Sequence, residues 1–450
     1  MEASLWRIKC VGMALWRFWW RILRLGGGTP SAPEQRMQLR RILSSMVCVA
    51  AVCNFVGAAD WPNWRGAERD DISKETGLLK AWPEAGPRKL WTTDVAGLGY
   101  SGYAVVKGVL YTMGLEDGLE YLIAIDSTNG KRKWKLEVGP QLSNNWGDGP
   151  RGTPSVAGDF VYAVSGQGNV VCAKSADGTK VWDADLKKFG GKVPGWGYTE
   201  SPLVEGNLLI VTPGGKDGTL LALDLKTGAK VWQSAGWEDG AHYSSPIAVT
   251  HNGVRQAIQL TSQNVAGVDV KDGKVLWKSA WPGKTAVIPT PIFKDGFVYI
   301  TSGYGVGCKQ IKVGANHAVE EVWGINTNMV NHHGGVILVG DALYGYSDKG
   351  GWTCQDWKTG EVVWAEKKLG KGAVHCADGR LYLLDESNGT VALIEASREG
   401  WKESGRFKLD PQTTQRKAAG RVWTHPVVSD GKLYLRDQEL ISCYDVKASQ

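Results

Sequence analysis

The sequence predicts an all-β chain: an eight-bladed β-propeller of four-stranded antiparallel blades, closed by a strand from its N-terminal side. Three observations lead there. One strand-turn-strand phrase keeps returning, and its closing Trp recurs at 134, 182, 232, 277, 323 and 364, in steps of 48, 50, 45, 46 and 41 residues. A second phrase, built on a small or polar residue, Pro and a short apolar run, returns upstream of it. The last unit lacks its Trp strand, while an unattached strand of that type precedes the first unit. Self-similarity at this period marks an array of equivalent units, and four short strands per unit make one propeller blade.

The leader comes first in the chain. Met37–Ala59 reads MQLRRILSSMVCVAAVCNFVGAA: two Arg, a short apolar run from Ile42 to Val56, then small residues suited to cleavage. That is the pattern of a secretory signal peptide, with a run too short for a comfortable membrane span. The expected location is periplasmic or secreted, with no stable membrane insertion after cleavage. An uncleaved anchor is the competing reading. Cys53 follows Val52 where a lipid-attachment box wants a small residue, which favours a soluble product. Residues 1–36 are rich in Trp and Arg and precede a signal peptide that has to act from the N-terminus. They read as a mis-assigned extension with Met37 as the start, or as a basic amphipathic anchor.

The leader also carries the charge imbalance. The whole chain has 52 Lys and Arg against 46 Asp and Glu; removing the eight basic and two acidic residues of 1–59 leaves 44 of each. A formally neutral body gives no footprint for nucleic acid or an anionic membrane. With 43% hydrophobic residues it has ample material for a core.

Residues 60–85 form a strap of little strand character, and GPRKLW (Gly86–Trp91) is the unattached strand. The first phrase reads LALDLKTGAKVW at Leu221–Trp232. It returns as LIAIDSTNGKRKW (Leu122–Trp134), VVCAKSADGTKVW (Val170–Trp182), VAGVDVKDGKVLW (Val265–Trp277) and WTCQDWKTGEVVW (Trp352–Trp364). Its Gly supplies the positive φ of a tight hairpin turn, and its Trp is expected to pack between neighbouring blades. The second phrase is seen at Gly152–Ser165, Glu200–Thr212, Ser244–Gly253, Pro289–Thr301 and Thr424–Leu435, with weaker copies at Ser101–Thr112, Gly334–Gly345 and Ala373–Leu384. That makes eight, and the propeller is placed at 86–450. The eighth unit stops at LISCYDVKASQ, so Trp91 should complete it and leave no open edge.

The sentence Ala-x-Asp-x-x-Thr-Gly-x-x-x-Trp, clearest at Ala222–Trp232, resembles the pyrroloquinoline-quinone-like repeat. That repeat is shared by quinoprotein alcohol dehydrogenases and the outer-membrane assembly lipoprotein of the β-barrel machinery. The opening WPNWRG with ETGLLKAWP is similar to secreted planctomycete-type propellers. The resemblance spans about 60–450 and implies fold more than activity. Its catalytic members hold a quinone over calcium with a vicinal disulfide and an Asp base. This chain has no adjacent Cys pair and offers no ligand set to carry over. No cofactor is therefore expected, with pyrroloquinoline quinone and calcium belonging only to the alternative.

Cys172, Cys354 and Cys443 occupy the slot filled by Ala124, Ala222 and Gly267 in other units, so they are expected to be buried free thiols. No Cys spacing suggests zinc. The His332-His333 pair invites a metal, but neighbours on a strand point to opposite faces, so no metal is expected. No nucleophile elbow, phosphate loop or zinc-binding helix motif occurs, and no catalytic residue is assigned.

The best candidate site is one mouth of the central channel. Aligning the second phrase brings Tyr100, Arg151, Glu200, His242, Tyr243, His333, Trp423 and His425 to one rim. Aromatic rings, one cation, one carboxylate and imidazoles suit a polar small molecule or a peptide. The competing reading is a water-filled funnel. The functional expectation is an exported, non-catalytic binding or scaffold protein, with protein partners on blade faces as a further possibility. The alternative is a quinone-dependent dehydrogenase acting on alcohols or sugars.

Overall fold

The computed structural model describes residues 60–448, so the predicted signal peptide and N-terminal extension lie outside the described residues. Eight antiparallel sheets follow one another along the chain. Their innermost strands are Ala104–Val106, Ser155–Ala157, Leu203–Glu205, Ile247–His251, Ile292–Lys294, Val336–Val339, Gly372–Ala377 and Val427–Ser429, which define blades 1 to 8. Closure occurs as expected. Arg88–Thr93 pairs antiparallel with Leu440–Asp445, placing Trp91 opposite Cys443 on the outer edge of blade 8.

The recurring phrase has a direct physical cause. Ala124, Cys172, Ala222, Gly267, Cys354 and Cys443 each sit opposite the Trp of their own blade. The slot must be small because an indole lies across it; a Cβ on Gly267 would stand 2.2 Å from the Trp277 ring nitrogen. Most of these indoles then reach the next blade, whereas Trp277 donates to Gln256 Oε1 of its own blade at 2.6 Å. Trp91, Trp134, Trp182 and Trp232 donate Nε1–H to the carbonyls of Ser127, Ser175, Leu225 and Val270 at 2.9–3.2 Å. Their rings cover the turn glycines Gly130, Gly178, Gly228 and Gly273, where a Cβ would meet them at 2.6–2.8 Å. These glycines also have φ between 71° and 78°. The Asp of the phrase shapes the same turn: Asp126 Oδ1 accepts the Thr128 N–H at 2.8 Å. The turn is thus the socket into which the preceding blade's Trp fits. All five described cysteines are free and buried.

The strap is more than a lead-in. It contacts the inner strand, or the residues leading into it, in every blade. Trp61 exchanges backbone hydrogen bonds with Val105, and the Pro62 carbonyl accepts from Val156. Trp64 Nε1 donates to Thr290 Oγ1 at 3.1 Å, and Arg65 Nη2 to the Val336 carbonyl at 2.7 Å. Arg69 spans two blades, donating to the carbonyls of Ser201 at 3.1 Å, Pro246 at 2.9 Å and Pro202. Asp71 is held by His375 Nδ1 at 2.9 Å and His425 Nδ1 at 3.1 Å. Ile72–Ser73 then pairs parallel with Cys376–Ala377, adding a fifth strand to blade 7. Arg65, Arg69 and Asp71 all have positive φ (63°, 56° and 65°). Non-glycine residues hold that conformation only where surroundings over-determine it, as these contacts do.

Candidate functional site

The residues leading into the inner strands converge on one cavity of about 200 Å³. Backbone alternation decides which side chains enter it. Pairs two apart face inward: Tyr100 and Gly102, Thr199 and Ser201, Tyr243 and Ser245, Ile288 and Thr290, His333 and Gly335, Trp423 and His425. Arg151 joins from blade 2, while blade 7, whose inner edge carries the strap, contributes no lining residue. Trp64 and Arg65 of the strap, Trp146 and Trp196 from inter-blade loops, Tyr304 and His332 join them, and Ala286, Pro289 and Thr424 complete the lining.

Six of the eight candidates therefore meet: Tyr100, Arg151, Tyr243, His333, Trp423 and His425. Glu200 and His242 do not line the cavity, because each immediately precedes an inward-facing residue and so points the other way. Glu200 is buried between blades 3 and 4, accepting the Thr212 N–H at 2.5 Å, with Gln259 Nε2 3.5 Å away. Burial pushes its carboxyl up to about 7 despite the Thr212 hydrogen bonds and the Arg69 charge. His242 Nδ1 accepts the Val287 N–H at 3.0 Å and is held below its usual range by burial.

The rings form a nearly continuous wall. Trp423 packs on Tyr100, Trp146 and His333 with centroids 5.1, 6.4 and 6.2 Å apart. His333 meets His332, which meets Tyr304 at 4.9 Å. Opposite, Trp196 packs on Tyr243 at 5.5 Å. Trp64 meets His425 at 4.7 Å. The Arg151 guanidinium lies over the Tyr100 ring at 5.2 Å.

The His pair departs from the strand-based expectation. Its segment is irregular, so both rings turn inward and their Nδ1 atoms stand 3.2 Å apart. His332 Nε2 also meets the Tyr304 hydroxyl at 2.9 Å. Burial, with the Lys371 charge, lowers His332 to about 4; burial, with His332 and Lys371, holds His333 well below its usual range. Both are uncharged at neutral pH. Among the described residues no group of three or more His, Cys, Asp or Glu could hold a metal ion. The lining contains no carboxylate, so its donor set does not fit a quinone held over calcium, which takes oxygen ligands.

Sequence alignment of the repeat missed the strap and loop contributors. Trp64, Trp146 and Trp196 stand in stretches without repeat register, and only their unusual density hinted at a role.

Comparison with known proteins follows the same lines. The family described as outer membrane protein assembly factor BamB matches residues 118–366. The BamB of Xanthomonas campestris pv. campestris is 29% identical over 311 residues, 59% of this chain and 72% of that protein. The Yersinia pestis BamB is 22% identical over 419 residues, covering 90% of this chain and 88% of its own length. Among solved structures, BamB from Moraxella catarrhalis superposes with a TM-score of 0.56 at 14% identity, covering 81% of this chain and 99% of that one. The quinohemoprotein alcohol dehydrogenase of Comamonas testosteroni gives 0.60 at 12% identity, covering 90% and 82%; at such identities the likeness is one of fold. The chain belongs to the outer membrane protein assembly factor BamB family.

Proposed function

We propose that this member of the BamB family is an exported, non-catalytic binding protein, and that its binding site is the aromatic cavity at the channel mouth. One observation carries the reading: seven blades and the strap place side chains around a single cavity, with Trp64 and Arg65 of the strap among them. Ligand sites are concave, mostly apolar, and carry a few oriented polar groups; here aromatic rings supply the walls and Arg151, Arg65 and the His pair supply the polar groups. Export is supported by the signal-like leader and fits relatives whose name places them in outer membrane protein assembly.

The test is a thermal-shift screen of small molecules and peptides, repeated on the variant Arg151→Ala, His333→Ala, Trp423→Ala. Losing a good contact typically costs about 1–3 kcal/mol, so affinity for any hit should fall at least a hundredfold. The circular dichroism spectrum should stay that of the parent. A triple variant that binds as well as the parent defeats the proposal.

A second reading, a scaffold docking partners on its outer edges, is favoured by exposed Val181, Val231, Val322 and Val363, each immediately before the Trp of blade 2, 3, 5 or 6. A photo-crosslinker at residue 231 that captures a partner in the cell envelope, when one at 146 does not, would support it; the converse would favour the mouth.

A further inference from the structure

Two guanidiniums line the mouth cavity and no carboxylate does. Glu386 stands behind the wall, accepting from Trp423 Nε1 at 2.8 Å and lying 3.3 Å from His333 Nε2, on the side away from the cavity lining. Arg151 donates to the carbonyls of Gly149 at 2.9 Å and Gly147 at 2.8 Å and stacks over Tyr100, but makes no ion pair among the described residues. Arg65 is more confined. Its side chain is 1% exposed, and its Nε and Nη1 have no hydrogen-bond partner among the described residues. The nearest carboxylate, Asp71, is 3.9 Å from Nε and already engaged by both His375 and His425. Gly335, also in the lining, has φ +74°, and a Cβ there would stand 3.0 Å from Arg65 Nη1. Blade 6 therefore approaches that nitrogen closely, and because the nitrogen is itself buried, Arg65 acts on the cavity through its charge. Buried donors without acceptors are unfavourable, and a buried cation favours an anion beside it. Both His side chains are uncharged, so they add donors or acceptors without offsetting the cations.

Size and wall chemistry narrow the ligand. An apolar cavity of about 150 Å³ takes one benzene molecule. The mouth, at about 200 Å³ and open to solvent, has room for one ring inside, with larger substituents left outside. A sugar ring would bring several hydroxyls to a wall made mainly of Trp, Tyr and His, where most would go unpaired. A flat aromatic ring stacks on such walls without that penalty.

We propose that the mouth takes a single aromatic ring bearing a carboxylate, its ring against the Trp423 side of the wall and its carboxylate held by Arg151, with the buried Arg65 charge behind. This rests on the mouth being the binding site. The same chemistry occurs in a free aromatic acid and at the C-terminus of a peptide ending in an aromatic residue.

The test is calorimetric titration of the intact protein with benzoate, benzamide, cyclohexanecarboxylate, N-acetylphenylalanine and N-acetylphenylalanine amide. Each carboxylate with an aromatic ring should bind at least tenfold more tightly than its amide, and benzoate at least tenfold more tightly than cyclohexanecarboxylate. Arg151→Gln should weaken benzoate at least tenfold and benzamide less than twofold, while Arg151→Lys retains part of the benzoate affinity. The tighter of benzoate and N-acetylphenylalanine identifies the source, and either order supports the proposal. Amides binding as well as acids, or benzoate affinity unchanged in Arg151→Gln, overturns it. If ring probes bind regardless of charge and Trp423→Ala removes them, the mouth remains a binding site and only the anion is wrong. If no aromatic carboxylate binds at millimolar concentration, the proposal fails outright.

Discussion

Replacing Gly228 by Ala isolates the contact that the repeat encodes. Gly228 has φ +71°, and a Cβ there would stand 2.6–2.7 Å from the Trp182 ring of the preceding blade. Gly206, in the same blade, has φ +59°, but a Cβ there would meet nothing within 4 Å. Both substitutions incur the left-handed strain of an L-residue, about 1–2 kcal/mol. Only Gly228→Ala must also displace the indole. Trp182 is buried and donates to the Leu225 carbonyl at 3.1 Å. Overpacking costs about 1–3 kcal/mol and a lost hydrogen bond about 0.5–1.5 kcal/mol. Gly228→Ala should therefore cost roughly 2–4 kcal/mol more than Gly206→Ala. Urea unfolding followed by tryptophan fluorescence measures both. In a Trp182→Leu background the extra penalty should shrink towards the Gly206 value, because the ring that the methyl strikes is gone. Equal penalties for the two glycines in the parent would refute the socket reading.

Asp71→Asn should cost about 3–5 kcal/mol, because it leaves the buried Arg65 guanidinium without its nearest carboxylate. Urea titration would show it, and a loss below about 1 kcal/mol would count against the strap as a hub. Burial pushes Asp71 up, but hydrogen bonds from His375 and His425 and the Arg65 charge outweigh it, so its contribution is present above the ordinary carboxylate range and lost as pH falls. Glu200 has the opposite sign: its folded value near 7 lies above the ordinary 4.5, so its contribution is full below that value and is lost as pH rises through 7. Glu200→Gln should remove a fall in stability of about 3 kcal/mol between pH 4.5 and 8; an unchanged pH profile would contradict the burial argument. Cys172 and Cys354 are pushed up to about 11 and Cys376 and Cys443 to about 12, chiefly by burial. None should react with a thiol reagent in the native protein, and non-reducing mass mapping should find no bridge between any two.

The repeat was legible because it writes down nearest-neighbour contacts. A Trp, the small residue opposite it and the Gly it covers recur together, so blade count, the closing strand at Trp91 and the cysteine slot could all be read from spacing. The mouth was half legible. The alignment found the right segments, but one residue of slip exchanges inside for outside, which is why Glu200 and His242 turn away while Thr199 and Tyr243 face in. The strap was illegible for a different reason. Arg65, Arg69 and Asp71 each occur once, and the arginines bind backbone carbonyls, Val336, Ser201 and Pro246 among them. A carbonyl exists at every position, so no residue type advertises it as a partner.

That difference explains what the strap contributes beyond the ring. Trp-to-Gly contacts join five of the eight blade junctions near the turns of the outer strands and do nothing for the inner edges around the channel. An inner strand has one unpaired edge, and its carbonyls need donors. Arginine is suited to the task because one fork can serve several acceptors at once, as Arg69 does across blades 3 and 4. The parallel strand Ile72–Ser73 does the same for blade 7 by ordinary pairing. Supplying those donors brings Trp64 and Arg65 to the channel, where both become part of the mouth lining. The element that satisfies the inner edges is therefore also the one that furnishes the mouth cavity with an indole and a buried cation.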